Sequence, residues 1–536
     1  MHNLPSDYQI EKTRSGQMTA KYKGKYLYSR YDPQKEADVF LKKEIQSIKK
    51  YIIIFGCGFG YLLKSLINYY QFDHIVTIEL EEYFVANLKK NIKDNKIKID
   101  ILYRPTFSQL RQFLFSCFNE YDALYLQFII WQPIWRIDKE YFAGLLDEVK
   151  NFLSINLANI STMAIFGPII CLNFFKNLHH QKKVKFLIKS DNPVAFPVLI
   201  LASGPSLEYA IDEIKSYQNK IIIIALPSTL NLLKHKKIEP DFIINVDPGF
   251  STVFHFKHYY SKKSILITPL TTSRHVLKSW KGKILLISQG FPCESIILNN
   301  NLKMINLPSS GTVTFSAVNL VKTLGFQSVL LIGQDFAINK IAMHTRGGGY
   351  ERFYLNNNCY FQSLDYFNLE QISKQNLTSI PGDRNQLKMS THNLKLYYNH
   401  LNNEYNQNDD FVRIHNSNTT YFPDKIIKMS LPEYILQNIL KTDKNDIINK
   451  YFQFENLIKS EKQIMLKFVR FLESAKKSNF NLNKISDTYI KSIISMSFIP
   501  DLIKMNNVQT ENEKNEGKLI QKLIKRFCKF IYMCLL

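Results

Sequence analysis

The stretch VLILASGPSL, Val198 to Leu207, is an apolar run that ends abruptly at the polar tetrad Ser203, Gly204, Pro205 and Ser206. We interpret it as a buried strand that turns into a helix, because proline suits the first helical turn, where its missing N–H costs nothing. A turn of this kind directs unpaired amides and the positive end of the helix dipole at one point. The sequence therefore predicts a phosphate-binding junction near the middle of the chain.

Length and composition place this junction in a large folded protein. The chain has 536 residues, of which 45% are hydrophobic and 21% charged, so we expect two to four packed domains rather than disorder. The net charge of +23 suggests an anionic partner, either nucleic acid or a membrane surface. Lysine is spread over every segment instead of being concentrated on one element, so we expect no nucleic acid partner.

The cysteines and the termini bear on cellular location. The seven cysteines include no C-x-x-C pair, which argues against a zinc site or a disulfide framework and favours reduced thiols. The first residues lack the apolar core of a signal peptide, and no run reaches the ~18 apolar residues of a membrane helix. We therefore expect a cytoplasmic protein without a transmembrane segment. The sequence leaves the oligomeric state open.

Three regions differ in their hydrophobic pattern. Apolar runs alternate with helical segments in the first two, which predicts the α/β class with parallel sheets. The last region has no glycine between Gly382 and Gly517, and its apolar residues recur at three- and four-residue steps, as in a helical domain. The predicted organisation is an N-terminal Rossmann-like domain (1–153), a helical connector (154–190), a central parallel-sheet domain (191–430) and a C-terminal α-helical domain (431–536).

The N-terminal region has a glycine motif of its own. IIIFGCGFGY, Ile52 to Tyr61, places Gly56, Gly58 and Gly60 directly after a strand, and Glu79 ends the next strand. Glycines of this spacing allow close backbone approach to a nucleotide, and the acid can bind ribose hydroxyls. The pattern is similar to that of S-adenosylmethionine methyltransferases, but no catalytic signature follows it. We favour a structural turn over S-adenosylmethionine binding, and both interpretations stay open here.

Four polar clusters interrupt the central region, each at a predicted strand end. They are ASGPSL (202–207), PDFIINVDPG (240–249), SSGTVTFSA (309–317) and LIGQDFA (331–337). Because the carboxyl ends of parallel strands lie along one edge of a sheet, we expect the clusters to converge on one crevice.

Each cluster also has a structural interpretation. Asp247 and Asp335 are candidates for a divalent cation or for ribose hydroxyls, and Ser310, Gly311 and Thr312 open a helix that can bind a second anionic group. Alternatively, Asp247 only forms a turn and Thr312 only caps the helix. The presence of all four clusters favours a ligand site.

The motifs resemble a known family. YLYSRYDPQKEA (26–37), ASGPSL, PDFIINVDPG, SSGTVTFSAVNLVKTLGF and LLIGQDFA occur in the order seen in the motility-associated factor (Maf) flagellin glycosyltransferases, whose central part is an MptE-like domain. The resemblance covers about Tyr26 to Thr420. The central motifs are also similar to those of Campylobacter-type sialyltransferases, which bind a cytidine nucleotide, and of archaeal hydroxymethylpterin diphosphokinases, which bind ATP.

The resemblance implies a function and roles for individual residues. A Maf protein is expected to transfer a nonulosonic acid, such as pseudaminic or legionaminic acid, from its CMP conjugate to Ser or Thr of flagellin in the cytoplasm. The implied base is His344, with His392 as its competitor. The implied nucleotide and phosphate ligands are Ser203, Gly204, Pro205, Ser206, Asn245, Asp247, Ser310, Gly311, Thr312, Gly333, Gln334 and Asp335. Mg²⁺ is a candidate cofactor, with Asp247 as its candidate ligand.

The chain departs from the family pattern after Gly382 and in IHNSNTTYF (414–422), where the family's glutamate and glycines are missing. Two alternatives therefore remain beside the glycosyltransferase. One is an MptE-like nucleotide-dependent diphosphokinase. The other is a non-catalytic flagellin-handling scaffold that keeps the fold.

Overall fold

A computed structural model gives the fold. It describes residues 6–46, 49–91, 97–118, 120–180, 185–188, 193–308, 311–355, 359–360, 362–382, 386–406, 413–416, 426–438 and 442–456, together with residues 466, 467, 469, 470, 473, 493, 525, 526 and 529. The chain divides into two compact units, Met1–Met163 and Ala164–Leu536. Most of the predicted C-terminal helical domain lies outside the described residues, and so does Ser310.

The first unit is an α/β domain with a four-stranded parallel sheet in the order β6-β5-β4-β7, together with a small antiparallel sheet, β1-β2-β3. Its elements are β1 (Tyr8–Lys12), β2 (Met18–Tyr22), β3 (Lys25–Tyr26), α1 (Pro33–Glu44), β4 (Tyr51–Phe55), α2 (Tyr61–Tyr69), β5 (His74–Glu79), α3 (Glu82–Asn91), β6 (Lys98–Tyr103), α4 (Phe107–Cys117), β7 (Leu126–Ile130), α5 (Gln132–Trp135) and the beginning of α6 (Lys139–His180). Numbered along the chain, the four parallel strands have the order 3-2-1-4, which is that of the first four strands of a Rossmann sheet.

The second unit is built on a ten-stranded sheet in the order β18-β17-β14-β9-β10-β11-β12-β13-β8-β19. Its elements after α6 are β8 (Lys185–Leu187), β9 (Val198–Leu201), α7 (Leu207–Tyr217), β10 (Ile222–Ala225), α8 (Leu230–His235), β11 (Phe242–Ile244), α9 (Val253–Phe256), β12 (Ile265–Thr268), α10 (Arg274–Ser279), β13 (Ile284–Leu286), α11 (Ser295–Asn300), α12 (Val313–Thr323), β14 (Ser328–Ile332), α13 (Gly349–Leu355), α14 (Leu364–Ser373), β15 (Leu377–Pro381), β16 (Leu387–Thr391), α15 (His392–Asn406), β17 (Arg413–Asn416), β18 (Ile427–Lys428), α16 (Leu431–Asn438), α17 (Lys444–Tyr451) and β19 (Phe454–Asn456).

The large sheet is parallel except at β19, and both of its faces are covered. In β9, Val198 and Ile200 belong to one hydrophobic cluster, whereas Leu199 and Leu201 belong to another. A strand that is buried on both sides reads as a continuous apolar run, which is why the sequence pattern identified it. The sheet also takes in β8 and β19, which lie outside the predicted bounds 191–430.

The helix α6 is the one described helix that is long and apolar enough to cross a membrane, judged by length and composition alone. A single helix of this kind is weak evidence, because the core helices of soluble proteins have the same composition. In its C-terminal part, Cys171, Phe174 and Phe175 are buried.

Candidate functional site

The site lies where the strand order of the large sheet changes direction. From β9 the chain proceeds through β10, β11, β12 and β13 on one side and then crosses to β14 on the other side. Ligands of open α/β sheets bind at such a switch point, beyond the carboxyl ends of the two strands. Ser203 follows β9 and Gly333 follows β14, so two of the predicted clusters meet there.

Hydrogen bonds join these two clusters directly. The amide of Gly204 donates to the carbonyl oxygen of Gly333 (2.6 Å), and the amide of Ser206 donates to Oδ2 of Asp335 (2.7 Å). A side chain on Gly204 would overlap Asp335, and one on Gly333 would overlap the carbonyl of Ala202. The sequence ASGPSL and the sequence IGQD are therefore two halves of one interlocked turn.

This arrangement places a carboxylate of the protein where the ASGPSL turn was predicted to bind a phosphate. The carboxylate of Asp335 already occupies the N-terminus of α7, and the hydrogen bonds from Ser206 oppose the rise in its pKa that burial causes. An internal carboxylate in this position takes the place of a bound anion. Phosphate binding by Ser203, Gly204, Pro205 and Ser206 stays a prediction, and the amides of two of these residues are engaged by the protein.

The N-terminus of α12 has backbone amides without an acceptor in the described part of the chain, whereas the amide of Ser206 at the start of α7 is bonded to Asp335. Thr312 caps this helix by accepting from the amide of Phe315 (3.3 Å), as the structural interpretation of that residue predicted. The amides of Val313 and Thr314 have no acceptor among the described residues. The hydroxyl of Thr314 donates to Oε1 of Gln334 (2.5 Å), which ties this helix start to the end of β14. An anion that binds at α12 therefore lies beside the switch point.

His344 is brought to the switch point by the loop that follows β14. Its Nδ1 lies 3.3 Å from Oγ of Ser203, and the next amide, that of Thr345, donates to the carbonyl oxygen of Ser203 (2.7 Å). The ring lies at the surface, and the protein around it lowers its pKa by desolvation. A neutral imidazole near a strand end can accept a proton, as a general base must.

The second candidate base is placed differently. His392 begins α15 and is exposed, and its amide donates to the carbonyl oxygen of Asn376 (2.8 Å). Within the described part of the chain, no contact joins its ring to Ser203, Gly333 or Asp335. The structure therefore brings one of the two predicted histidines to the interlocked turn.

Asn245 and Asp247 lie farther along the same edge, after β11. Nδ2 of Asn245 donates to Oγ1 of Thr272 (2.7 Å), whereas its Oδ1 is buried and has no partner among the described residues. Oδ1 of Asp247 accepts from the amide of Gly249 (2.7 Å), which is the turn-forming role that the alternative interpretation predicted. A ligand with hydrogen-bonding groups would compensate the buried amide oxygen of Asn245.

Metal binding by Asp247 has no support from a cluster of ligands. No group of three His, Cys, Asp or Glu side chains that could hold a metal ion occurs among the described residues. Mg²⁺ therefore stays a hypothesis in which the phosphates of a ligand supply most of the coordination.

Sequence reasoning missed His255, which lies on α9 after β11. Burial, and to a smaller extent the nearby His344, lower the pKa of His255 to about 4. A side chain on Gly349 would overlap Nδ1 of His255, so the glycines of HTRGGG let the loop after β14 pack against α9. The glycine run is visible in the sequence and indicates close packing of this loop. It does not identify His255 as the residue against which the loop packs.

Asn173 and Asn177 of α6 were missed as well. Nδ2 of Asn177 donates to the carbonyl oxygens of Leu270 (2.7 Å) and Thr272 (2.9 Å), and Nδ2 of Asn173 donates to that of Pro248 (2.9 Å). The two side chains, four residues apart, lie on one face of the helix. They hold the loop that presents Thr272 to Asn245.

The glycine motif of the first unit is closed by its own chain. Glu79 is fully buried, and its two carboxylate oxygens accept from the amides of Cys57 (2.6 Å) and Gly58 (3.1 Å). Side chains on Gly56 and Gly58 would overlap Ile134. Gly60 caps α2 with φ of 89°. The structural interpretation thus accounts for each residue of the motif, and binding of S-adenosylmethionine stays a hypothesis.

Comparisons with known proteins agree with the sequence motifs. Residues 172–340 match the model of a family described as 6-hydroxymethylpterin diphosphokinase MptE-like. Three uncharacterized proteins of Treponema pallidum (strain Nichols) are 22–23% identical. The first alignment covers 30% of this chain and 76% of the relative, the second 41% and 48%, and the third 39% and 74%.

A solved structure, that of the Maf glycosyltransferase from Magnetospirillum magneticum AMB-1, has the same fold. The TM-score is 0.66 with 12% sequence identity, and the alignment covers 99% of this chain and 92% of the other. The resemblance predicted from the sequence is thus confirmed: residues 172–340 match the MptE-like family model, and the chain has the fold of a Maf glycosyltransferase.

Proposed function

We propose that this protein is a glycosyltransferase that takes a sugar from a nucleotide-activated donor and binds that donor at the switch point between β9 and β14. The observation that carries the proposal is the convergence of Ser203, His344 and the open start of α12 on one edge of the sheet. The resemblance to Maf proteins supports a CMP-linked nonulosonic acid as donor and Ser or Thr of flagellin as acceptor, with transfer in the cytoplasm.

The chemistry follows from these groups. The bond between the anomeric carbon and the phosphate oxygen breaks, and the electron pair leaves with CMP. The amides at the start of α12 would stabilise the departing phosphate. The acceptor hydroxyl forms the new bond to the anomeric carbon, and its proton passes to His344. A base of depressed pKa is unprotonated at neutral pH and is ready for this step.

The first test separates binding from catalysis. We expect His344→Gln to lower transfer from CMP-N-acetylneuraminic acid to purified flagellin by about a hundredfold or more, the usual contribution of a general base, while the Kd for CMP changes little. His392→Gln is the matched variant, and we expect it to retain activity because His392 has no described contact with the turn. If only His392→Gln lost glycosyl transfer, the role of general base would belong to His392.

The match to the MptE-like family supports a second candidate function, diphosphate transfer from ATP to a small heterocycle. Stability measured with CMP, CTP, ATP and ATP with Mg²⁺ distinguishes the two. A ligand at 100 times its Kd stabilises the protein by about 2.7 kcal/mol. Stabilisation by ATP with Mg²⁺ but not by CMP would favour the diphosphokinase. If no nucleotide binds and flagellin from a strain without this protein keeps its mass, the scaffold alternative gains support.

A further inference from the structure

Arg346 lies two residues after His344 and is anchored to α7. Its amide donates to Oε1 of Glu208 (2.7 Å), and its Nε donates to Oε2 of the same carboxylate (3.2 Å). Glu208 lies in the first turn of α7. One carboxylate thus fixes both the backbone of the loop and the orientation of the guanidinium.

The outer half of this guanidinium is unused. Neither Nη1 nor Nη2 bonds any described residue, and the side chain is 80% exposed. An arginine keeps its charge at any physiological pH, and its two terminal nitrogens match the spacing of two oxygens of a carboxylate or phosphate. The bond to Glu208 leaves this pair of donors together on one side of the group.

The chain holds this cation close to the proposed base. His344 and Thr345 both bond Ser203, and two residues of extended backbone span roughly 7 Å at most. A sugar whose anomeric carbon is near His344 therefore carries its substituents within reach of Arg346. The neighbouring acids are already engaged, since Asp335 bonds Ser206 and Glu208 bonds Arg346.

We propose that Arg346 binds an anionic group of the donor in addition to the phosphate of the nucleoside monophosphate. This inference rests on the proposed function. Two sources of that charge have the same chemistry: a carboxylate on the transferred sugar, or a second phosphate.

Calorimetric titration of the full chain tests the assignment. The ligands are CMP, CDP and CMP-N-acetylneuraminic acid, and the variants are Arg346→Gln, Arg346→Lys and Lys303→Gln. Lys303 is exposed and pairs with Glu455 of β19, at the far end of the sheet, so its variant removes one positive charge away from the site. We expect Arg346→Gln to weaken binding of either CDP or CMP-N-acetylneuraminic acid, each of which has an anionic group beyond the first phosphate, about tenfold or more relative to CMP. We expect Arg346→Lys to be intermediate and Lys303→Gln to bind as the wild type does.

The ligand that is affected identifies the source of the charge: CMP-N-acetylneuraminic acid indicates a carboxylate, and CDP indicates a second phosphate. Equal weakening of all three ligands, or of none, would overturn the assignment of Arg346 and leave the proposed function intact. A wild-type protein that binds none of the three would overturn both. Because the substituted side chains are exposed, we expect the variants to fold as the wild type does. Their thermal midpoints verify this.

Discussion

Gly204 and Gly333 are the residues whose lack of a side chain lets the two halves of the turn interlock. Gly333 has φ of 79°, and a Cβ on it would overlap the carbonyl oxygen of Ala202. In this case glycine is required by the approach of backbone to backbone and not by a ligand. The motif that suggested a nucleotide site thus has a structural reason of its own.

We expect Gly333→Ala to destabilise the second unit by about 2–4 kcal/mol, because steric overlap adds to the cost of a left-handed backbone. Gly347→Ala is the matched control: its φ is 80°, but no atom lies closer than 3.7 Å to an added Cβ. Urea unfolding followed by hydrogen exchange of peptides that contain Trp280 measures both variants. Equal losses would show that backbone strain alone, and not the overlap with Ala202, sets the cost.

A second prediction at this scale concerns pH and Glu79. Burial raises its pKa from 4.5 to about 7, against the opposing effect of the bonds from Thr77, Cys57 and Gly58. The folded state therefore binds a proton more tightly than the unfolded state. The resulting stability is fully present below about pH 4.5 and is lost as the pH rises to about 7, by an amount on the order of 3 kcal/mol.

The variant Glu79→Gln removes the titrating group, so we expect the free energy of unfolding of the first unit to lose this pH dependence. Chemical unfolding at several pH values, followed by hydrogen exchange of peptides that contain Trp131 and Trp135, measures the slope. Glu44→Gln, at the exposed end of α1, serves as control and should keep the wild-type slope. An unchanged slope in Glu79→Gln would mean that another group titrates.

At the scale of elements, the sequence predicted the strands that are buried on both sides and missed those at the sheet edges. The apolar run that begins at Val198 was predicted as a buried strand, and the structure has the strand β9 at Val198–Leu201. The strand β6 was missed, since its residues are at most partly buried, and so was β18, whose two residues are exposed at the edge of the large sheet. An edge strand packs against fewer neighbours and needs no continuous apolar run, so its pattern is weak.

The candidate site could likewise be predicted only in part. Parallel topology predicted that the four clusters converge, because that rule depends only on strand direction. Which side chains bond one another depends on rotamers and loop paths that no periodicity encodes. The bond that the Ser206 amide donates to Asp335 and the bond that the Arg346 guanidinium donates to Glu208 are both of this kind.

The helix α6 supports the site through Asn177, and a substitution tests this support. We expect Asn177→Leu to cost roughly 2–4 kcal/mol, because it leaves the buried carbonyls of Leu270 and Thr272 without a donor. The affinity for CMP should fall as well, since Thr272 holds Asn245. Ile165→Ala, at a position of the same helix that is 67% exposed, should change stability by less than about 0.5 kcal/mol. Thermal unfolding with and without CMP measures both effects.

At the scale of the whole molecule, two sheets carry glycine turns of similar design. In each turn an acid from a neighbouring strand end accepts from backbone amides, two of them in the first unit and one in the second. Glu79 does so in the first unit, and Asp335 in the second. The difference lies in what surrounds the turn. The second unit adds an open helix start, a histidine and an arginine whose two terminal nitrogens bond no described residue. The first unit packs Tyr28 and Ile134 against its turn.

This difference predicts that the ligand binds to one unit. We expect CMP to raise the unfolding midpoint of the second unit and to leave that of the first unchanged, and we expect S-adenosylmethionine to shift neither. Hydrogen exchange during unfolding distinguishes the units, because peptides that contain Trp280 report on the second and peptides that contain Trp131 and Trp135 report on the first. The amides of Cys57 and Gly58 are already paired with a buried carboxylate, so a ligand at that turn would have to displace Glu79 and leave its charge without donors. The variant Glu79→Gln should accordingly bind CMP as the wild type does. A shift with S-adenosylmethionine that disappears in Gly58→Asp would instead assign a cofactor to the first unit and contradict the structural role that its packing indicates.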